Sequence, residues 1–269
     1  MNVELVAPNR LGSDSKKWCR YDSDVIPLWV ADMDFAADPR ILDAIRERLD
    51  HGVLGYGRAT EAQRDVLVQA MRRDYDWQIK PEWLVFLPGV EPGFNLALSA
   101  CVSQFEGAMQ ELSVYAPLRA APGNWGLIEN EVWQSAESGR WESDPAEMVA
   151  AAQASSAMLL CNPQNPTGRV YTREELEFRA ELCLRHDMVV ISDEIHCGMV
   201  LDGRKHIPIA SLSSRIASRS VTLMAASKTW NVPGLKTAFA IIPNAAMRTR
   251  IQGAKRGMVD SVNVLGLAG

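Results

Sequence analysis

The sequence predicts an α/β fold, a mostly parallel sheet between helices, and three observations carry that reading. Residues 84–87, 157–161, 188–192, 221–225 and 237–242 are short runs that are apolar almost throughout. Continuous rather than alternating hydrophobicity marks strands buried on both faces. Segments with helix start signals alternate with these runs, as βαβ units require. Three of the runs empty into loops that carry polar residues, at Asn162, Asp193 and Ser227-Lys228.

Taken in chain order, Asp38-Pro39 is an N-cap followed by proline at the first helical position, opening a helix to about residue 50. Thr60-Glu61-Ala62-Gln63 is a capping box for a second helix reaching about residue 76. The strand at 84–87 precedes Pro88-Gly89 and an amphipathic helix over about 90–104. Residues 112–115 are a further strand candidate, and 121–156 carries no pattern that assigns an element. Thr172-Arg173-Glu174-Glu175 caps the helix between the runs at 157–161 and 188–192. Asn244 caps a helix that fades by Gly257, and 263–269 reads as the start of another.

A chain of 269 residues at 47% hydrophobic can bury a large core in one domain or two. A net charge of −5 gives no basic footprint for nucleic acid. No apolar stretch approaches bilayer length and the N-terminus lacks a signal-peptide core, so no membrane partner is expected. Cys19, Cys101, Cys161, Cys183 and Cys197 form no CxxC pair, an odd and scattered set that predicts reduced thiols in a cytoplasmic protein. His196 and His206 have no metal-ligand spacing with any cysteine, so no metal is expected.

Ligands of open α/β sheets bind beyond the carboxyl ends of the strands. Asn165, Asp193 and Lys228 each stand just past such an end. A lysine amine forms a Schiff base with a carbonyl, and enzymes of pyridoxal 5′-phosphate (PLP) set an Asp against the pyridine nitrogen. Asn165 would donate an amide N–H to the ring's phenolic oxygen. Alone, each residue has a plainer reading as a surface charge, a helix cap or a turn. Jointly, at three junctions in this order, they indicate a PLP site. Gly89 before a helix offers the amides of Val90 and Glu91 as a phosphate cradle, against the alternative of an ordinary strand-to-helix turn. Ser227 adds a hydroxyl. Nothing in the sequence explains a glutamate carboxylate at that position.

The runs Asn162-Pro163-Gln164-Asn165-Pro166-Thr167-Gly168, Ser192-Asp193-Glu194-Ile195-His196 and Ser227-Lys228-Thr229-Trp230-Asn231-Val232-Pro233-Gly234-Leu235 resemble the class I/II aminotransferase family of fold-type I PLP enzymes. Trp29-Val30-Ala31-Asp32-Met33-Asp34-Phe35 and Gly55-Tyr56-Gly57 narrow the resemblance to its MalY/PatB-like cystathionine β-lyase branch. The resemblance implies an aspartate aminotransferase-type large domain at 46–269, with 1–45 contributing to a small domain. It implies Tyr115 against the PLP ring, Lys236 where relatives carry a phosphate-binding Arg, and Tyr56 reaching a neighbouring subunit's phosphate site in a homodimer. His196 falls where many aminotransferases carry a Tyr, and no proton-transfer role is assigned to it.

The implied activity is β-elimination from L-cystathionine or related amino-acid thioethers, giving pyruvate, ammonia and a thiol. Aminotransfer uses the same residues, and a non-catalytic PLP-binding protein is a third reading. Family members continue into a small domain with an Arg for the substrate carboxylate. The chain as given is therefore expected to be a fragment that keeps most PLP contacts and binds substrate poorly.

Overall fold

All five apolar runs form strands of one sheet. The computed structural model describes residues 6–259 and 262–269. In chain order the elements are α1 (Pro39–Asp50), α2 (Glu61–Tyr75), β1 (Leu84–Leu87), α3 (Val90–Cys101), β2 (Gly107–Leu112), α4 (Ala116–Asn124), β3 (Ile128–Ser135), β4 (Glu142–Ser143), α5 (Pro145–Gln153), β5 (Ala157–Cys161), α6 (Arg173–Arg185), β6 (Val189–Asp193), α7 (Ser214–Ala217), β7 (Ser220–Met224), β8 (Ala238–Ile241), α8 (Ala245–Lys255) and α9 (Val264–Ala268). The sheet order is β1-β8-β7-β6-β5-β2-β3-β4. Strands β7, β6, β5, β2 and β3 run parallel, while β8 is antiparallel to both its neighbours and β4 is antiparallel to β3.

Burial on both faces explains the apolar runs. Leu159, Ile191 and Leu223 pack on one side against Phe94 and Leu98 of α3 and Met247 and Ile251 of α8. Met158, Leu160 and Val190 face the other side, against Leu176, Ala180 and Cys183 of α6. Helix α2 adds a third cluster in which Met71 meets Leu84, Met224 and Ile241. The capping boxes at Thr60 and Thr172 form as expected, and Asp38 and Asn244 cap α1 and α8.

Three expectations need correction. The strand expected at 112–115 lies at Gly107–Leu112 instead, and Ser113 and Val114 form the loop into α4. Its polar pair hid it: Gln110 and Glu111 are buried, Gln110 donating to the Arg119 carbonyl at 2.9 Å and Glu111 accepting from Arg179 Nε at 2.7 Å. The helix expected to reach residue 104 stops at Cys101, where Val102 turns to extended backbone. The unassigned stretch 121–156 contains β3, β4 and α5, and β3 is mostly exposed or half-buried toward the sheet's edge, so it lacks an apolar run.

The described N-terminal residues before α1 have no regular secondary structure, yet they are tied down. Asp34 accepts from Lys17 Nζ and Trp18 Nε1, both at 2.7 Å, and from Arg10 at 2.8 Å. Asn231 accepts from Met33 N at 2.8 Å and donates to the carbonyls of Met33 and Phe35, both at 3.1 Å. One asparagine thus clamps the 29–35 motif to the loop that carries Lys228.

Candidate active site

Strand register builds the site. Cys161 pairs with Asp193 and Asp193 with Leu223, so the carboxyl ends of β5, β6 and β7 lie in line. Strand order reverses between β2 and β5, a switch point of the kind where doubly wound sheets bind ligands. A cleft of about 850 Å³ opens there. Asn165, Asp193, Ser227, Lys228 and Lys236 line it with Tyr115, Gly89, Val90 and Glu91. Of the residues singled out from sequence, Tyr56 stands apart, 97% exposed and off the cleft wall.

The carboxyl end of β1 feeds Gly89, which caps α3 without a side chain, so the first-turn N–H groups face the cleft side uncapped. Helix α3 is seated close to the sheet: a Cβ at Gly93 would come within 2.6 Å of Leu223 Cδ2 and 2.9 Å of Leu87 Cδ1. The Glu91 carboxylate finds a partner that the sequence did not suggest, the Tyr115 hydroxyl at 3.4 Å. Burial and that carboxylate push the Tyr115 phenol up, so it stays protonated and able to donate.

Asp193 is buried, and its Oδ1 accepts from Ile195 N at 3.1 Å. Burial raises its carboxyl to about 6, the Glu194 charge adds to this, and the Ile195 N–H and the Lys228 ammonium offset it. A carboxylate in this setting is completed by a cationic N–H donor presented from the cleft. His196 lines the same wall, and burial, then the Lys228 charge, push its imidazole down toward the neutral form.

Sequence reasoning missed part of the wall. Cys161 reads as a strand end, yet its thiol accepts from Asn165 N at 3.4 Å, and burial beside Asp193 pushes it well up, keeping it un-ionised. Asn95 accepts from Trp125 Nε1 at 3.1 Å and Asn124 Nδ2 at 3.3 Å, forming a polar rim opposite the lysine loop. The only sequence hint of that rim was that Asn95 is one of the polar residues of the amphipathic helix α3.

The family model for aminotransferase class I and II matches residues 23–264. Cystathionine β-lyase PatB of Bacillus subtilis is 35% identical over 252 residues, covering 91% of this chain and 65% of PatB. The chain therefore spans about two-thirds of that relative's length. A crystal structure of OvoB superposes with a TM-score of 0.94 at 41% identity, over 100% of this chain and 71% of that one. The crystal structure of cystalysin from Treponema denticola, which contains a pyridoxal 5′-phosphate cofactor, gives a TM-score of 0.94 at 27% identity over 99% of this chain and 71% of that one. The family model spans most of the chain and the fold agrees with these solved structures, so the chain belongs to the class I and II aminotransferase family.

Proposed function

We propose that this chain carries the PLP site of a carbon–sulfur β-lyase that cleaves L-cystathionine or a related cysteine thioether to pyruvate, ammonia and a thiol. The observation that carries the reading is the convergence of one amine, one buried carboxylate and one side-chain amide on a single cleft. The donor set fits PLP: among the described residues Asp193 has no cationic partner in hydrogen-bond contact, Lys228 offers an amine for the carbonyl, and an uncapped helix start and Lys236 suit a phosphate. The likeness to PatB and cystalysin supports elimination.

When bound, PLP supplies a carbonyl for an amine and a ring that stabilises negative charge at the substrate Cα. Lys228 would tether the cofactor through its amine, and the same amine, when free, would serve as the base for the substrate Cα proton. Asp193 would hold the proton on the ring nitrogen, and Asn165 would donate to the phenolic oxygen. The amides of Val90 and Glu91, the Ser227 hydroxyl and the Lys236 ammonium would hold the phosphate, and Tyr115 would contact the ring. Lys236 brings a point charge without the two-pronged geometry of an arginine. The overall reaction would consume one water per thioether and release pyruvate, ammonia and the thiol.

The active unit in this reading is a cytoplasmic homodimer. The loop bearing Tyr56 suits it, since Val53, Leu54 and Tyr56 are 60%, 58% and 97% exposed and so are accessible to a neighbouring subunit. Residues 1–45 supply the N-terminal share of a small domain, and 46–269 form the large one. Aminotransfer is the second reading, favoured by the family model itself; a PLP-binding protein without turnover is the third.

Keto-acid analysis separates them, using the PLP-loaded chain and L-cystathionine with no amino acceptor. Sustained pyruvate with ammonia is expected. A single turnover that leaves the cofactor as its pyridoxamine form would favour aminotransfer, and no reaction from a loaded chain would favour the third reading, a PLP site without turnover of its own.

A further inference from the structure

Two buried carboxylates stand side by side at the end of β6, and only one faces the cleft. Asp193 and its successor Glu194 are 4% and 0% exposed. Glu194 turns away from the cleft: its Oε1 accepts from the Ser192 hydroxyl at 2.9 Å and Ile209 N at 3.3 Å, and its Oε2 lies 2.7 Å from His206 Nε2. The side chains of Glu194 and His206 are both fully buried. The Tyr75 ring of α2 meets the imidazole edge-on, with centroids 5.6 Å apart.

A lone buried anion is costly, and two adjacent ones raise each other's proton affinity. Asp193 serves the ring nitrogen only as an anion, so the charge on Glu194 must be offset. The other ionisable groups near Glu194 cannot supply the offset. Burial holds the Tyr75 phenol far above its usual value and pushes the Cys197 thiol up to about 12, so both stay neutral. The charge of Lys228 acts on Asp193 from the cleft side. His206 is the group in contact that can carry the balancing proton, at the cost of a ring Nδ1 with no hydrogen-bond partner.

We propose that Glu194 and His206 form one net-neutral buried pair, a positioning unit behind Asp193 that keeps its carboxyl anionic and aimed into the cleft. Glu194 anchors the strand end through Ser192 and the Ile209 amide, and the His206 proton cancels its field at Asp193. The inference rests on the PLP reading, because that reading is what requires an anionic Asp193.

The test follows the Asp193 carboxyl directly, by ¹³C NMR of the full chain labelled at aspartate, with the resonance identified by its loss in Asp193→Asn. Glu194→Gln should lower the midpoint of this titration by about one pH unit, and His206→Gln should raise it by about as much, a tenfold change in proton affinity each way. Affinity for PLP at neutral pH, measured by dialysis, should fall in His206→Gln, where the Glu194 charge is left uncompensated. Shifts of the same sign, or none, overturn the proposal, since a structural role alone gives no opposite signs. If a variant fails to fold, ¹⁵N shifts of the His206 ring in the unmodified chain decide: a doubly protonated ring at pH 7 is expected, and a neutral one overturns it. An Asp193 resonance that does not respond to PLP in the unmodified chain would instead overturn the PLP reading.

Discussion

At the scale of single residues, the site divides into groups that do chemistry and groups that set their charge. If Lys228 moves the proton and tethers the cofactor as proposed, Lys228→Ala should lower kcat by at least about a thousandfold. A steady-state assay beside an absorption spectrum of the PLP-loaded chain checks it. Asp193 gives a prediction with a definite sign. Its folded-state carboxyl, at about 6, lies above the unfolded value of about 3.9. The cofactor-free folded chain therefore binds more protons than the unfolded chain between those values, and stability falls as pH rises through that window. Asp193→Asn removes the buried charge and keeps an acceptor for the Ile195 amide. It should stabilise the cofactor-free chain at pH 7.5 by roughly 3 kcal/mol, from two units at 1.36 kcal/mol each. The gain should vanish by pH 4. Urea unfolding at the two pH values measures it, and an equal gain at both would contradict the assignment.

At the scale of elements, legibility followed how strongly local chemistry declares itself. Helices α1, α2, α6 and α8 announced themselves through Asp38, Thr60, Thr172 and Asn244, because a cap bonds only backbone within its own turn. Strand β2 did not, because the groups that satisfy buried Gln110 and Glu111, the Arg119 carbonyl and the Arg179 guanidinium, come from elsewhere in the chain. The Arg179 guanidinium from α6 grips Glu111 through Nε at 2.7 Å and Nη2 at 2.5 Å, with both residues buried. Arg179→Met should strand that carboxylate and destabilise the fold by about 3–5 kcal/mol, whereas Arg179→Met with Glu111→Leu should recover most of the loss. Denaturant midpoints of the single and double variants test it; additive losses would show that the pair does not act as a unit.

At the scale of the whole molecule, Tyr56 separates folding from function. Being 97% exposed, it should leave stability within about 0.5 kcal/mol when changed to Ala. If it completes a neighbour's phosphate site, Tyr56→Ala should weaken PLP binding about tenfold, with the loss depending on protein concentration. Sedimentation with a dialysis measurement of affinity decides, and unchanged affinity in a stable dimer would exclude the role. The sequence by itself determined the α/β class, the strands that are apolar on both faces and the capped helices, and it singled out Asn165, Asp193 and Lys228, which the fold brings to one cleft. These follow from periodicity, caps and side-chain chemistry, all local to a few residues. Only the tertiary structure decided that Cys161 and the Asn95–Trp125 rim share the cleft and that Asn231 clamps the 29–35 segment. It alone turned Glu194 away from Asp193 toward His206. Strand register and long-range packing set those contacts, and neither is encoded in the spacing of neighbours along the chain.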